Sequence, residues 1–185
     1  MTQTPEAILH LEKCLLRPQC ESDAEDVARE ANNPRIAKWM TNRFPHPYRV
    51  EDAKKWIESS RSQPEVNAFV ICRKDDNRAI GGIGLENRTD VNYRTMVLGY
   101  WLGEDHWGQG IVTEAVAALS QWAFDKFPHV IRLEASTYEG NKASAAVLQK
   151  AGYRYESRSR CAVEKNGVVM DLETYCILRD ERGHI

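Results

Sequence analysis

The 185-residue chain has no apolar run approaching the roughly 20 residues of a membrane-spanning helix. Its opening, MTQTPEAILH, lacks the basic-then-apolar plan of a secretory leader. A soluble, cytoplasmic protein with no membrane partner is expected. The five cysteines, Cys14, Cys20, Cys72, Cys161 and Cys176, are odd in number and show no CxxC spacing, which argues for reduced thiols rather than a disulfide framework. His10, His46, His106, His129 and His184 show no HExxH-type pairing, so no metal is expected. Lys and Arg number 25 against 27 Asp and Glu, a net charge of -2, which leaves no basic field to draw nucleic acid. The Arg154 to Arg160 cluster reads as a solvated strand face. With no linker, repeat or low-complexity stretch, and with 42% hydrophobic residues, residues 1–185 are expected to form one domain with a real core.

Periodicity divides this chain into alternating elements. Leu9 to Arg17 reads as a strand, and Ser22 with Glu25 has capping-box spacing for a helix that Asn33 and Pro34 stop near Ala31. Glu51 to Ser60 places Ala53, Trp56 and Ile57 on one helical face. NAFVICR (67–73) and AIGGIGL (79–85) flank the polar turn KDDNR as a hairpin, and TMVLGYWL (95–102) is the next strand. Residues 111 to 127 place Val112, Ala115, Val116, Leu119, Trp122, Ala123 and Phe127 along one helical face. Ile131, Leu133 and Ala135 alternate as a strand, Asn141 opens a short helix that Gly152 closes, and Asn166-Gly167 joins two last strands. The sum is a mixed α/β (α+β) fold: a central twisted mixed sheet of about seven strands flanked by about four helices. The long helix between two apolar strands is the natural place for a parallel crossover, and ligand sites gather at such strand-to-helix turns.

The segment WGQGIVTE (107–114) lies at that turn. Glycines ahead of a helix leave its first N–H groups unshielded, so an anion can meet both those donors and the positive end of the helix dipole. A phosphate is the natural guest. A dinucleotide-binding GxGxxG is the competing interpretation, but Ile111, Val112 and Thr113 follow Gly110, so the third glycine is missing.

GYWLGEDHWGQGIVTEA, followed by NKASAAVLQKAGY, resembles the GNAT N-acetyltransferase superfamily, and LLRPQCESDAEDVAREANNPRIAKWM with NGVVMDLETYCIL resembles its RimJ/RimL branch. The likeness spans nearly the whole chain. The family's phosphate loop carries Arg or Gln where Trp107 stands and a Gly or Ala where Val112 stands, while Gly108 and Gly110 keep its glycine character. The resemblance implies a single acetyltransferase domain that takes acetyl-CoA as co-substrate and uses no metal. Its diphosphate would rest on the amides of Gly108, Gln109, Gly110, Ile111, Val112 and Thr113, and its pantetheine beside Tyr100, Trp101, Leu102 and Gly103. Trp101 and Trp107 would shape the channel, and the Thr113 hydroxyl either adds a phosphate contact or simply occupies the first helical turn.

Acetyl transfer needs a neutral amine, a stabilised oxyanion and a proton for the departing thiolate. A carboxylate must take the ammonium's proton: Glu86 is the first choice and Asp90 the second, each otherwise an ordinary turn acid. An α-amine, with a pKa near 8, eases that step relative to a lysine near 10.4. A main-chain N–H around Trp101 or Leu102, freed by an irregularity near Gly99 or Gly103, would meet the oxyanion. Many relatives use a Tyr seven residues after the second motif's Asn, where this chain has Leu148. The RimL-like pattern instead implies Ser144 as the acid, with Asn141 capping the helix and touching the pantetheine; the plainer alternative leaves Ser144 an ordinary helix residue and Asn141 only a cap. Cys161 and Cys176 lack a partnered His, which disfavours an acetyl-enzyme and favours direct transfer in a ternary complex. Phe44, His46, Tyr48 and Glu86 would border the acceptor, a protein N-terminus or a small-molecule amine, or else pack a loop. The resemblance allows a homodimer. Two rival functions stand beside this one: a non-catalytic acyl-CoA sensor or scaffold, and an acyltransferase for longer chains or oxygen acceptors.

Overall fold

The computed structural model describes residues 4–62, 65 and 67–184. Residues 1–3 of the opening segment and the His184 side chain lie outside what is described. Among the described residues the strands are β1 (Leu9–His10), β2 (Leu15–Pro18), β3 (Ala68–Cys72), β4 (Ala79–Asn87), β5 (Thr95–Leu102), β6 (Arg132–Tyr138), β7 (Arg154–Lys165) and β8 (Val168–Leu178). The α-helices are α1 (Ala24–Ala31), α2 (Pro34–Ala37), α3 (Val50–Arg61), α4 (Ile111–Lys126) and α5 (Lys142–Lys150). This is the mixed α/β architecture expected, with one more strand and one more helix. The first expected strand is broken into β1 and β2 by a tight turn, closed by Leu11 N–H donating to the Cys14 carbonyl at 3.0 Å. Asn33-Pro34 does end α1, but it also starts α2: Pro34 sits at the first helical position, and the Asn33 side chain accepts from Arg35 N–H.

The chain folds as two compact units. The first runs through Gly84 and adds Tyr100–Ala115. In it β1, β2, β3 and β4 follow in antiparallel order, and the end of β5 joins β4 through Gly103 N–H donating to the Ile80 carbonyl at 2.8 Å. The β3–β4 ladder has a bulge at Ile80, between the pairs Cys72↔Ala79 and Ile71↔Gly81. Helix α1 packs on α3, and Val27, Ala28, Ala31, Ala53 and Ile57 form a core with Val70, Cys72 and Tyr48. Trp56 does not join it. It is exposed, because residues 53 and 57 already fill the inward stripe of α3.

The start of α1 also differs from the expected Ser22/Glu25 box. The Asp23 carboxylate accepts the Cys20 N–H at 2.8 Å and both arms of the Arg17 guanidinium, at 2.8 and 2.6 Å. Both charges are buried, so the pair stands on its fork geometry and its extra hydrogen bonds. A nearer acid has displaced the expected one.

The second unit comprises Leu85–Gly99 and Val116 onward. In it β5 and β6 pair in parallel, as the crossover predicts, in the register Thr95↔Arg132, Met96↔Leu133 and Val97↔Glu134. Beyond β6, β8 and then β7 pair antiparallel. Asn166 and Gly167 both take positive φ, 52° and 77°, the pair of values a two-residue hairpin turn requires. Leu119, Phe124, Leu133, Leu148 and Ile177 are fully buried, and Ser120 Oγ shares a buried 2.8 Å hydrogen bond with the Tyr153 hydroxyl. No described helix is long and apolar enough to cross a membrane.

Candidate functional site at the start of the long helix

In the first unit β5 delivers the chain to Gly103, a one-turn 3-10 segment spans Glu104–His106, and Trp107 is extended. Trp107 Nε1 donates to the Leu102 carbonyl at 2.8 Å, so its indole closes the strand end rather than pointing freely outward. Gly108 and Gly110 then take φ of 75° and 77°. Any side chain there would crowd the backbone, which is why the sequence places glycines at these two positions. The first bond of α4 runs from Glu114 N–H to the Gly110 carbonyl, 3.1 Å. The amides of Ile111, Val112 and Thr113 precede it, and Gly110, at the cap position, has no side chain to offer them. Gly108, Gln109 and Gly110 are exposed, while Val112 and Thr113 are half-buried. Donors, dipole and open backbone coincide, which is the chemistry of an anion seat.

Residues that sequence reasoning did not single out hold this loop. Lys13 Nζ donates to the Gln109 carbonyl at 2.9 Å, and the Glu114 carboxylate accepts the N–H groups of Glu12 and Lys13 at 2.7 and 2.9 Å. Asn33 Nδ2 donates to Glu104 at 2.6 Å, Arg35 pairs with the same carboxylate, and the Arg35 guanidinium lies 5.2 Å from the centre of the Trp107 ring. Their only trace in the sequence is an acid in the first turn of a helix. No spacing rule pairs Glu114 with residues about a hundred positions earlier.

Trp101 lies against β4, where glycines make room for it. A Cβ on Gly82 would stand 2.6 Å from Trp101 Nε1, and one on Gly81 2.6 Å from the Trp101 carbonyl oxygen. Phe44 packs edge-on to Trp101 with ring centres 5.7 Å apart and on Tyr48 at 4.7 Å. Tyr48 is buried; burial, with the Asp52 charge adding, pushes its phenol up to about 12. Of the four residues expected at the acceptor end, Phe44 and Tyr48 therefore belong to an aromatic cluster with Trp101, His46 is exposed, and Glu86 lies in the second unit.

The remaining expected residues lie in the second unit. Glu86 is exposed near the end of β4, which runs on to Asn87, and Asp90 opens a 3-10 turn with φ of 54°. Asn141 caps α5 by accepting Ser144 N–H at 3.3 Å, and Ser144 is half-buried. Leu148, at the position where relatives use a tyrosine, is fully buried as a core residue. No described cluster of His, Cys, Asp and Glu could hold a metal ion.

Comparison with known proteins gives this geometry its class. The acetyltransferase (GNAT) domain profile matches residues 13–154, and the chain belongs to that family. It is 31% identical to the probable N-acetyltransferase YjcK of Bacillus subtilis (strain 168), across 90% of this chain and 94% of the relative. The putative ribosomal N-acetyltransferase YdaF of the same organism is 29% identical over 93% of both chains. Among solved structures, RimJ of Mycobacterium smegmatis in complex with CoA-disulfide superposes with a TM-score of 0.81 at 25% identity, covering 96% of this chain and 89% of its own. Acetyl-CoA-dependent acetyl transfer is thus the reaction class, within a RimJ/RimL-like group.

Proposed function

We propose that this protein transfers the acetyl group of acetyl-CoA directly to a primary amine in a ternary complex, with a protein N-terminus as the favoured acceptor and small-molecule amines as the alternative. The observation that carries the proposal is the glycine-capped start of α4, whose amides and dipole suit a diphosphate. The name borne by YdaF, a putative ribosomal N-acetyltransferase, supports a protein acceptor. An α-amine also suits the chemistry, since its pKa near 8 leaves part of it neutral at physiological pH.

In this scheme the diphosphate rests on the Gly108 to Thr113 amides and the pantetheine follows Tyr100 to Gly103. Glu86, or Asp90 in its place, takes one proton from the acceptor ammonium, directly or through water. The neutral nitrogen attacks the thioester carbon, and a main-chain N–H around Trp101 or Leu102 meets the oxyanion. As the carbonyl re-forms, the C–S bond breaks. Ser144 gives its proton to the sulfur and recovers one from the nitrogen, so acetamide, CoA thiol and one released proton balance the reaction. Asn141 holds the start of the Ser144 helix and contacts the pantetheine.

A steady-state assay with acetyl-CoA against peptide N-termini and small amines tests this. Turnover with an N-terminal peptide is expected, and Glu86→Gln should lower kcat by about 10²- to 10⁴-fold while keeping acetyl-CoA affinity. Tight acetyl-CoA binding with no acetylation of any amine would leave a coenzyme sensor as the function instead. Preference for a longer acyl donor or a hydroxyl acceptor in the same mixture would replace the acetyl-to-amine assignment.

A further inference from the structure

We infer that Lys13 is a positioning residue for the coenzyme, setting which way the Gly110 amide faces without touching the phosphates itself; this rests on the function proposed above. Across a trans peptide the C=O and N–H point in opposite directions. Lys13 Nζ holds the Gln109 carbonyl at 2.9 Å, so the N–H of the same peptide, that of Gly110, is aimed away from the ammonium. Without that hold, the peptide, which joins Gln109 to Gly110, can turn over through ψ of Gln109 and φ of Gly110, and the glycine's backbone freedom keeps the cost of that turn small. Two further features converge on the same hydrogen bond. A Cβ on Gly110 would stand 2.9 Å from Lys13 Nζ, so the glycine leaves the lysine its path. The backbone of Lys13 is itself fixed from the helix, because the Glu114 carboxylate accepts the N–H groups of both Glu12 and Lys13. The β1–β2 turn and the first turn of α4 therefore brace the loop from its carbonyl side and leave the amide side to the ligand.

Calorimetric titration with CoA and with 3′-dephospho-CoA, on wild type, Lys13→Ala, Lys13→Arg and Glu114→Gln, tests the inference. Removal of this charge-assisted hydrogen bond in Lys13→Ala should weaken binding by about five- to tenfold. The weakening should be equal for the two coenzymes, since both carry the diphosphate. Arginine at 13 should restore most of the affinity, Glu114→Gln should reproduce part of the loss, and in turnover the change should fall on KM for acetyl-CoA rather than on kcat. Wild-type affinity in Lys13→Ala overturns the inference. So does a loss confined to CoA, which would make Lys13 a direct ligand of the 3′-phosphate. A fall in the melting temperature of the unliganded variant in step with the affinity loss overturns it as well, by making the role one of folding. Failure of the wild type to bind either coenzyme would remove the proposed function first, and this inference with it.

Discussion

Helices α4 and α5 begin in opposite ways. Asn141 turns its own side chain onto the first turn of α5 and uses a donor there. Asn33 does the same at α2, accepting Arg35 N–H, while at α1 and α3 the carboxylates of Asp23 and Asp52 turn back to accept the N–H groups of Cys20 and Arg49. Only α4, in this set, has a glycine at its cap and a second glycine two residues earlier. A helix start furnished with its own polar side chains is built for folding, and one that presents only glycine backbone has the chemistry to receive an anion. The same backbone chemistry is thus assigned two purposes by the identity of one residue.

Four changes separate these purposes, in falling order of effect. Asp23→Asn removes the buried partner of Arg17 and should cost about 3–5 kcal/mol of stability in urea denaturation, with coenzyme affinity unaffected in the folded fraction; a change under about 1 kcal/mol would mean that water compensates this pair. Gly110→Ala meets both the positive φ and the Lys13 ammonium, and should weaken CoA binding by roughly 30- to 100-fold in calorimetry, with a fall of a few degrees in melting temperature from about 1–2 kcal/mol of backbone strain. Asn141→Ala should act mainly on stability, lowering the melting temperature by about 2–4 °C for a cap of about 1 kcal/mol, with a smaller loss of CoA affinity from its pantetheine contact. If its CoA affinity fell as far as that of Gly110→Ala, the contrast between the two helix starts would be lost.

The smallest effect concerns the strand beneath the loop. Burial pushes the Cys14 thiol up to about 12, with the Glu114 charge adding, and burial pushes Cys72 up to about 12. These thiols keep their protons in the native state, while the unfolded chain releases them above about pH 9. Unfolding therefore gains with alkalinity, and stability should decline gradually as pH rises past that value. Cys14→Ala should flatten the decline in chemical denaturation between pH 8 and pH 10 without touching coenzyme affinity. A slope identical to wild type would assign the effect to other groups.

Much of this was legible because local chemistry and tertiary role agreed. The WGQG turn, the parallel crossover and the Asn166-Gly167 hairpin each need particular backbone angles that few residues supply, so the letters carry the geometry. Asn141 was legible as a cap for the same reason. Where a choice depended on a distant partner, the sequence was silent. Ser22 and Glu25 have ideal capping spacing, yet Asp23 takes the role because Arg17 of β2 comes to it. Trp56 fits an apolar stripe by number, but width and neighbours decide which members of a stripe are covered. Lys13, Asn33 and Arg35 are invisible as loop supports because their partners lie about 70 to 100 residues away. Val112, at a position where the family uses Gly or Ala, is half-buried in the first turn of α4, so the departure in spelling leaves the helix start intact.

Strand β7 is the outermost in its order, and nearly all of its twelve residues meet solvent. Its ladder with β8 slips twice, between Tyr155 and Ser157 and between Ser159 and Val163. Arg154 and Arg158 stand out along it in ion pairs with Glu181 and with Glu139 and Asp171. A margin that is kinked and charged offers poor docking for another extended chain. Concentrating this protein should therefore not zip molecules together along that border, and a straightened, neutral version of β7 is where fibrous aggregation would first be expected.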